Sequence, residues 1–344
     1  MILKKGEVLN SSLLKKKIST QRVNVIIVNY NSWNYTLACI KSLKKSSYKH
    51  THIYLLDNAS TDGSVYNIEK WFKKTNAHYN LTDVNGLLEM SIDSRDKFFI
   101  TIIKNKLNLG FGAGNNIVIK YLLKSNVEEE YIWLLNPDTI VEENVMLDLV
   151  MLSSENRNVI YGNLICYFAL PNEIMYCGGF KVKKFVHGIK RIKNYSEINQ
   201  LSAIAGTSLF MKIRDFKNLG LLPEDYFMYW EETDFCTKAK LNGYSFDVNC
   251  KSKIYDHVGG STKDNFLREY LYLLNGLKYY RKYYPNRIIL IVLSSLLKLL
   301  NAMINGNKTK AKAFFWAHID FFKHLFGKKI DVRQRIEINT NAKD

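Results

Sequence analysis

At 344 residues, with 47% hydrophobic and 13% aromatic side chains, the chain can bury a sizeable core, and its length suits one large domain with an appendage or two domains rather than a disordered polymer. The formal charge of +17 is concentrated at the ends: residues 1–22 carry +5 and residues 266–344 carry +10, leaving +2 for the stretch between. A groove-reading nucleic-acid binder would spread positive charge over its folded body, whereas basic ends on a near-neutral middle suit an anionic membrane surface, so no nucleic-acid partner is expected.

Residues 1–21 read as a basic tail, and "MILKKGEVLNSSLLKKK" has too short an apolar core for an export signal. From residue 23 the pattern alternates. "VNVIIVNYN" (23–31) predicts a buried strand, and "TLACIKSLKKS" a helix with Leu37, Ile40 and Leu43 on one face. "HIYLLDNASTDGS" predicts a second strand ending in a turn, followed by a helix that aligns Val65, Ile68 and Phe72. "FFITIIKN" (98–105) is a third strand, "GAGNNIVIKYLLKS" a helix opening on small residues, and "EYIWLLNPDT" (130–139) a fourth strand. Repeated strand then helix predicts a parallel α/β sheet, with ligands beyond the carboxyl ends of its strands.

Polar residues fall on that rim: Asn29 and Asn31 after the first strand, Asp57 and Asn58 after the second, Asn105 and Asn108 after the third, Asn136 and Asp138 after the fourth. Asn and Asp are also ordinary turn formers, so each site by itself leaves both readings open. Beyond residue 155 the alternation loosens into "VIYGNLICYF", "IMYCGGFKVKKF", a basic and aromatic "KRIKNY", "SAIAGTSLFMKI", a helix around "RDFKNLG", then "EDYFMYWEETDFCTKAKLNGYSF" and "KIYDHVGGST".

From about residue 266 the chain turns aromatic, basic and helical. "IILIVLSSLLKLLNAMI" (288–304) is short for a membrane span, and Ser294, Ser295, Lys298 and Asn301 group on one side of its helical wheel, which fits an interfacial or domain-docked helix. "AKAFFWAHIDFFKHLFGKK" (311–329) sets Phe315, Ile319, Phe322 and Phe326 on one face beside Lys312, Lys323, Lys328 and Lys329. Such a helix rests on a membrane, on its own domain, or on a second subunit in a homodimer. Five scattered cysteines without a Cys-x-x-Cys pair read as reduced thiols of a cytoplasmic protein.

"VIIVNYNS", "LLDNASTDGS", "NLGFGAGNN", "LLNPDT", "AGTSLFMK" and "FMYWEETDFCTKAKLNGY", in this order, resemble the family 2 glycosyltransferases with the GT-A fold, most nearly the bacterial rhamnosyltransferase-type branch, over about residues 22–265. The resemblance implies an α/β fold, Rossmann-like with a mostly parallel central sheet, and a C-terminal helical extension. It implies an inverting, metal-dependent transfer of a sugar, rhamnose favoured, from a dTDP- or UDP-sugar to a surface polysaccharide or lipid-linked saccharide, by an enzyme peripheral on the inner face of the cell membrane. By alignment Asp57 meets the nucleobase, Gly110 lets backbone approach the nucleotide, and Asn108 and Asn115 hydrogen-bond ribose or diphosphate. Asn29, Asn31, Asn58, Asn136 and Asp138 complete the donor site.

In the same family an Asp-x-Asp motif holds Mn²⁺ or Mg²⁺. Here it reads Asn136-Pro137-Asp138, so the implied ligands are Asp138, the downstream His257, and Asn136 through its oxygen or a water. His257 could instead be a hydrogen-bonded loop histidine. Glu232 matches the general base, with Glu231 and Asp234 as alternatives, and an acidic cluster at a helix start could also simply complement the helix dipole. Two other functions stay open: a sugar nucleotidyltransferase, against which stands the lack of a glycine-rich, basic N-terminal motif, and a non-catalytic saccharide- or membrane-binding protein of the same fold.

Overall fold

The computed structural model describes residues 21–90, 98–124, 127–154, 156–258, 265–328, 330 and 332. The basic tail expected over residues 1–21 therefore lies outside the described residues, except for Gln21, as does Lys329.

The β-branched runs become the centre of a ten-stranded sheet. β1 (Val23–Asn29) pairs in parallel with β2 (Thr51–Asp57) on one side and β5 (Tyr131–Leu135) on the other. Beyond β2 lie β4 (Phe98–Lys104) and then β3 (Tyr79–Asp83), both parallel. Strands buried on both faces lose the alternation of an amphipathic strand, which is why β1 and β2 read as continuous apolar runs. The edge strand β3, "YNLTD", is half exposed and has no apolar run, and so carried no signal in the sequence.

α1 (Trp33–Lys44) buries Leu37, Ile40 and Leu43 as expected, and α2 (Ser64–Lys74) buries Ile68 and Phe72 while Val65 is half-buried. α3 (Val84–Glu89) follows β3, with the Asp83 carboxylate accepting from the Gly86 amide at 2.8 Å. α4 (Gly110–Leu123) returns the chain from β4 to β5. The chain thus runs from β1 outward to β2 and on to the edge strand β3, steps back to β4 between them, then crosses to β5 on the other flank of β1. The strand order reverses there, and the crevice opens above that point, at the carboxyl ends of β1 and β5.

The second half of the sheet is mixed. β6 (Thr139–Val141) follows β5, and α5 (Val145–Ser154) leads to β7 (Val159–Tyr167), on which β8 (Ile174–Cys177) folds back. β9 (Gly179–Val182), β10 (Ile189–Arg191) and β11 (Ala203–Ile204) form a separate three-stranded sheet. β12 (Ser208–Lys212) inserts antiparallel between β5 and β7, and α6 (Ile213–Leu219) and α7 (Glu231–Leu241) precede β13 (Ser245–Asp256), which runs parallel to β7 and antiparallel to β6.

Among the described residues the last three α-helices are α8 (Asn265–Tyr283), α9 (Ile288–Ile304) and α10 (Lys308–Leu325). They share a second apolar core with Val182, Tyr226 and Trp230 from the body of the protein. In α10 the stripe Phe314, Ala317 and Phe321 is buried, while Phe315, Phe322 and Phe326 of the face predicted to be apolar point outward.

Candidate active site

A cleft of about 780 Å³ opens beside the ends of β1, β2 and β5, large enough for a nucleotide and a sugar ring. Its first wall is a set of amides that satisfy one another. Asn29, fully buried beneath the cleft, donates to Asp57 Oδ1 at 2.8 Å and Ser60 Oγ at 3.1 Å, and accepts from Ser32 Oγ at 3.0 Å and Thr36 Oγ1 at 2.8 Å. Asp57 is buried with it and takes the Ser60 amide at 3.1 Å. Neither lines the cleft; they fix the turn that does. Asn31, at a left-handed φ of 51°, faces the cleft and accepts from the Thr61 and Asp62 amides at 2.7 and 3.3 Å.

Asn58 donates to Asn108 Oδ1 at 2.9 Å and to the Gly110 carbonyl at 3.1 Å, and accepts from Asn105 and the Leu109 amide, each at 3.2 Å. Asn58, Asn108 and Gly110 all line the cleft. Gly110 has a φ of 82°, and a Cβ there would stand 2.0 Å from the Phe227 carbonyl oxygen, so glycine is required for the approach of the two loops. Asn115 sits one turn into α4, donates to the Phe111 carbonyl at 2.9 Å, and does not reach the cleft.

The floor is the strand end Asn136-Pro137-Asp138, all three lining the cleft. The peptide of Asn136 is locked by the Thr207 carbonyl at 3.0 Å and by Thr139 Oγ1 at 2.8 Å. Asp138 is buried beside Asp256, the last residue of β13, which also lines the cleft. Burial, and then the negative charge of Asp138, push the Asp256 carboxyl up to about 7. Two carboxylates drawn together in this way suit a hard divalent cation that takes oxygen ligands.

His257 is placed differently. Its amide donates to the Asp138 carbonyl at 3.0 Å, but its ring stacks on Phe168 at 3.7 Å between centroids and leans on Tyr35, and it is not among the cleft-lining residues. Among the described residues no cluster of three or more His, Cys, Asp or Glu could hold a metal. The oxygen-bearing side chains on the cleft floor are those of Asn136, Asp138 and Asp256.

Acid also enters the cleft from the start of α7. Residues 227–230 approach α7 with Phe227, Tyr229 and Trp230 all left-handed, at φ of 62°, 69° and 77°. Asn275 of α8 holds this loop, its one amide group donating to the carbonyls of Tyr226 at 2.6 Å, Met228 at 2.8 Å and Tyr229 at 3.3 Å. The strained loop delivers Glu231 and Glu232 to the cleft.

Glu231 is buried, with Oε2 lacking a partner among the described residues, and burial and then the charge of Glu232 raise its carboxyl well above the usual range. Glu232, partly open to the cleft, is raised to about 7 by burial, against the backbone amides at the start of α7. Asp234 turns the other way. It is buried and receives Tyr226 Oη at 2.8 Å, Tyr283 Oη at 2.7 Å and Lys282 Nζ at 2.8 Å, which makes it a structural tie between α7 and α8.

The structure thus brings Asn31, Asn58, Asn108, Gly110, Asn136, Asp138, Glu231 and Glu232 to one cleft, and leaves Asn29, Asp57, Asn115, Asp234 and the His257 ring outside its lining. It adds four charged residues that sequence reasoning missed, the first of them Asp62 in the turn after β2, which accepts from the Ser64 amide at 3.0 Å. Asp256 is hidden beside the more conspicuous His257. Arg191 lies in the basic "KRIKNY" segment, donating to Tyr167 Oη at 2.7 Å over the Tyr176 ring, and Arg268 comes from the first turn of α8.

Comparison with known proteins places this geometry. The family profile described as Glycosyl transferase family 2 matches residues 24–219, ending before α7 and Asp256. Rhamnosyltransferase WbbL of Escherichia coli K12 is 26% identical over 150 residues, 39% of this chain and 55% of that protein. The low-salt glycan biosynthesis hexosyltransferase Agl10 of Haloferax volcanii is 25% identical over 222 residues, 63% of this chain and 61% of that protein. The chain therefore spans between about half and two thirds of the length of these curated relatives. Among solved structures, GalNAc-T7 with UDP, GalNAc and Mn²⁺ aligns with a TM-score of 0.55 at 17% identity over 76% of this chain and 48% of that one. Mannosyltransferase PcManGT from Pyrobaculum calidifontis, in complex with GDP-Man and Mn²⁺, aligns with a TM-score of 0.53 at 11% identity over 97% of this chain and 87% of that one. At those identities the likeness is one of fold, and it is the GT-A fold that the ordered motifs imply.

Proposed function

The chain belongs to glycosyl transferase family 2, and from that premise we propose that it moves a hexosyl unit, rhamnose favoured, from a dTDP- or UDP-sugar to a surface polysaccharide precursor or lipid-linked saccharide, with inversion at the anomeric carbon. The observation that carries the reading is the gathering of two acidic pairs in one cleft: Asp138 with Asp256 at the end of the sheet, Glu231 with Glu232 at the start of α7.

Asn31, Asn58 and Asn108 border the nucleoside end, with backbone rather than side chain at Gly110. Asp138 and Asp256 would hold a divalent cation, Mn²⁺ or Mg²⁺, which supplies charge neutralisation for the departing nucleoside diphosphate. Mn²⁺ in two proteins of the same fold supports this assignment. Asn136 stands where the family's motif has a first carboxylate, and Asp256 restores the missing charge from another strand.

Glu232 takes the proton of the acceptor hydroxyl as that oxygen forms its bond to the anomeric carbon and the bond to the diphosphate oxygen breaks. With its carboxyl near 7, it is ionised in about half of the molecules at neutral pH yet still basic enough to accept the proton. Burial and the charge of Glu232 favour the protonated form of Glu231, so the reading gives that role to Glu232. Residues 22–265 form the transfer domain in this reading, and residues 266–344 place it on the cytoplasmic face of the membrane; the five free thiols suit a reducing compartment.

The experiment is a panel of dTDP-, UDP- and GDP-sugars tested by thermal shift with Mn²⁺, with Mg²⁺ and with chelator, followed by transfer to a saccharide acceptor. Cation-dependent stabilisation by one nucleotide sugar, with product of inverted configuration, is expected. Binding of a saccharide without any nucleotide sugar would favour the non-catalytic alternative, and pyrophosphate release from a nucleoside triphosphate would favour the nucleotidyltransferase.

A further inference from the structure

α9 is built inside out. Its polar side faces the protein: Ser294 Oγ accepts from the His187 amide at 2.9 Å, Ser295 Oγ pairs with His318 Nε2 at 2.8 Å, and Lys298 Nζ donates to the His187 carbonyl. Its apolar side faces outward, with Ile289, Leu290, Leu293, Leu297, Leu300 and Ile304 between 52% and 84% exposed. A soluble surface helix does the reverse, and a continuous apolar face of this kind marks an interaction site.

The helix does not cross a bilayer in this arrangement. Pro285–Ile304 is long and apolar enough to do so. However, the elements on either side of it, α8 and α10, pack on each other through Tyr270, Leu274, Leu277, Phe314 and Phe321, and Tyr270 Oη donates to Asp320 at 2.8 Å. The chain therefore enters and leaves α9 on one side of one body.

Beside its N-terminal end stands a second exposed element, the turn Lys183-Lys184-Phe185-Val186, whose four residues are all exposed. It is held by Tyr280 Oη at the Lys183 carbonyl, 2.7 Å, and by the Arg287 guanidinium, which lies 4.5 Å over the Phe185 ring. Apolar side chains ringed by Lys183, Lys184 and Arg287 match a bilayer interface with anionic headgroups. A second copy is the poorer occupant, because apposing two such faces would bring like charges together on chains that each carry +17.

We propose that the outer face of α9, with Phe185 and Val186, lies flat in the interface of an anionic membrane. This deepens the membrane reading given above, and the test reads flotation separately from transfer. Full-length protein is floated with phosphatidylcholine vesicles with or without phosphatidylglycerol, alongside Leu293→Glu/Leu297→Glu and Lys183→Glu/Lys184→Glu, with melting curves as the check on folding. The wild type is expected to float only with phosphatidylglycerol, with binding reduced about tenfold or more in each double variant while both melt normally.

Wild-type binding that ignores phosphatidylglycerol, or either double variant floating like wild type, would overturn the proposal. So would a wild-type dimer that Leu293→Glu/Leu297→Glu converts to a monomer without loss of flotation, since that would assign the face to a second copy. Should the leucine variant fail to fold, the exposed lysine pair decides. Flotation without transfer would remove the transferase reading and leave the docking face standing; transfer to a soluble acceptor without flotation would do the opposite.

Discussion

The two walls of the cleft are built on opposite terms. On the wall of β1, β2 and β4, every polar atom of Asn29 has a partner, and Asn58 donates twice and accepts twice. On the other wall and floor, Glu231 keeps a buried oxygen without a partner among the described residues, three carboxyls are raised, and three of the four residues 227–230 are left-handed without being glycine. In the proposed function, the satisfied wall is already in its binding shape, and the unsatisfied one holds groups whose best partners, a proton, a cation or a hydroxyl, would arrive with the substrates.

The sharpest way to break the comparison is to remove the base and leave the binding wall intact. Glu232→Gln is expected to lower kcat by roughly 10²–10⁴-fold with donor affinity nearly unchanged. In the wild type, kcat/KM should rise with pH through about 7 as the raised carboxyl ionises, and the variant should lose that rising limb. Because Glu231 interacts with Glu232, the apparent value belongs to the pair. Retained turnover in the variant would reassign the proton to Glu231.

A smaller effect is expected on the floor. Asp256→Asn should weaken cation-dependent binding of the nucleoside diphosphate on the order of tenfold or more, measured by titration with Mn²⁺ and with chelator. His257→Phe, which keeps the stack on Phe168, should leave that affinity close to wild type. The reverse pattern would make His257 the ligand and Asp256 its neighbour only.

Asn275 tests whether the strained loop needs its clamp. Asn275→Ala leaves the carbonyls of Tyr226, Met228 and Tyr229 without their donor, at a cost of about 1–3 kcal/mol in stability. We expect kcat to fall about tenfold, since α7 is no longer held in register, while donor affinity, set on the other wall, holds. A parallel loss in both would mean that the variant has merely unfolded in part.

The same division explains what could be read from the sequence. The satisfied wall is made of local signals: apolar runs of buried parallel strands, each followed closely by Asn or Asp, put Asn31, Asn58 and Asn108 on one rim, and the same signal marks Asp138 on the floor beside them. The other wall depends on distant pairs. Asp256 meets Asp138 across the β13–β6 pairing, while Asn275 reaches residues 226–229 and Arg268 reaches the cleft from a helix that composition marks only as basic and aromatic. β3 escaped because an exposed edge strand has no apolar run. Asp57 and Asp234 escaped in the other sense: each has the right chemistry and position, but its oxygens are taken up by Asn29 and Ser60 in one case and by Tyr226, Lys282 and Tyr283 in the other.

The smallest effect expected concerns stability, and its sign follows from linkage. The Glu231 carboxyl is raised in the folded protein by burial and by Glu232, relative to an ordinary value of 4.5. A group raised on folding binds its proton more tightly in the native state, so its contribution is fully present below the ordinary value and is lost as pH rises through the folded value. The wild type should therefore lose stability from mildly acidic toward neutral and higher pH, and Glu231→Gln, which carries no proton to lose, should follow a flatter curve. At neutral pH the variant is expected to melt higher, by roughly 2–4 °C for each kcal/mol recovered. Equal slopes of Tm against pH for the two proteins would show that the buried oxygen of Glu231 has a partner in solution, and that the acidic wall is as well satisfied as the amide wall it faces.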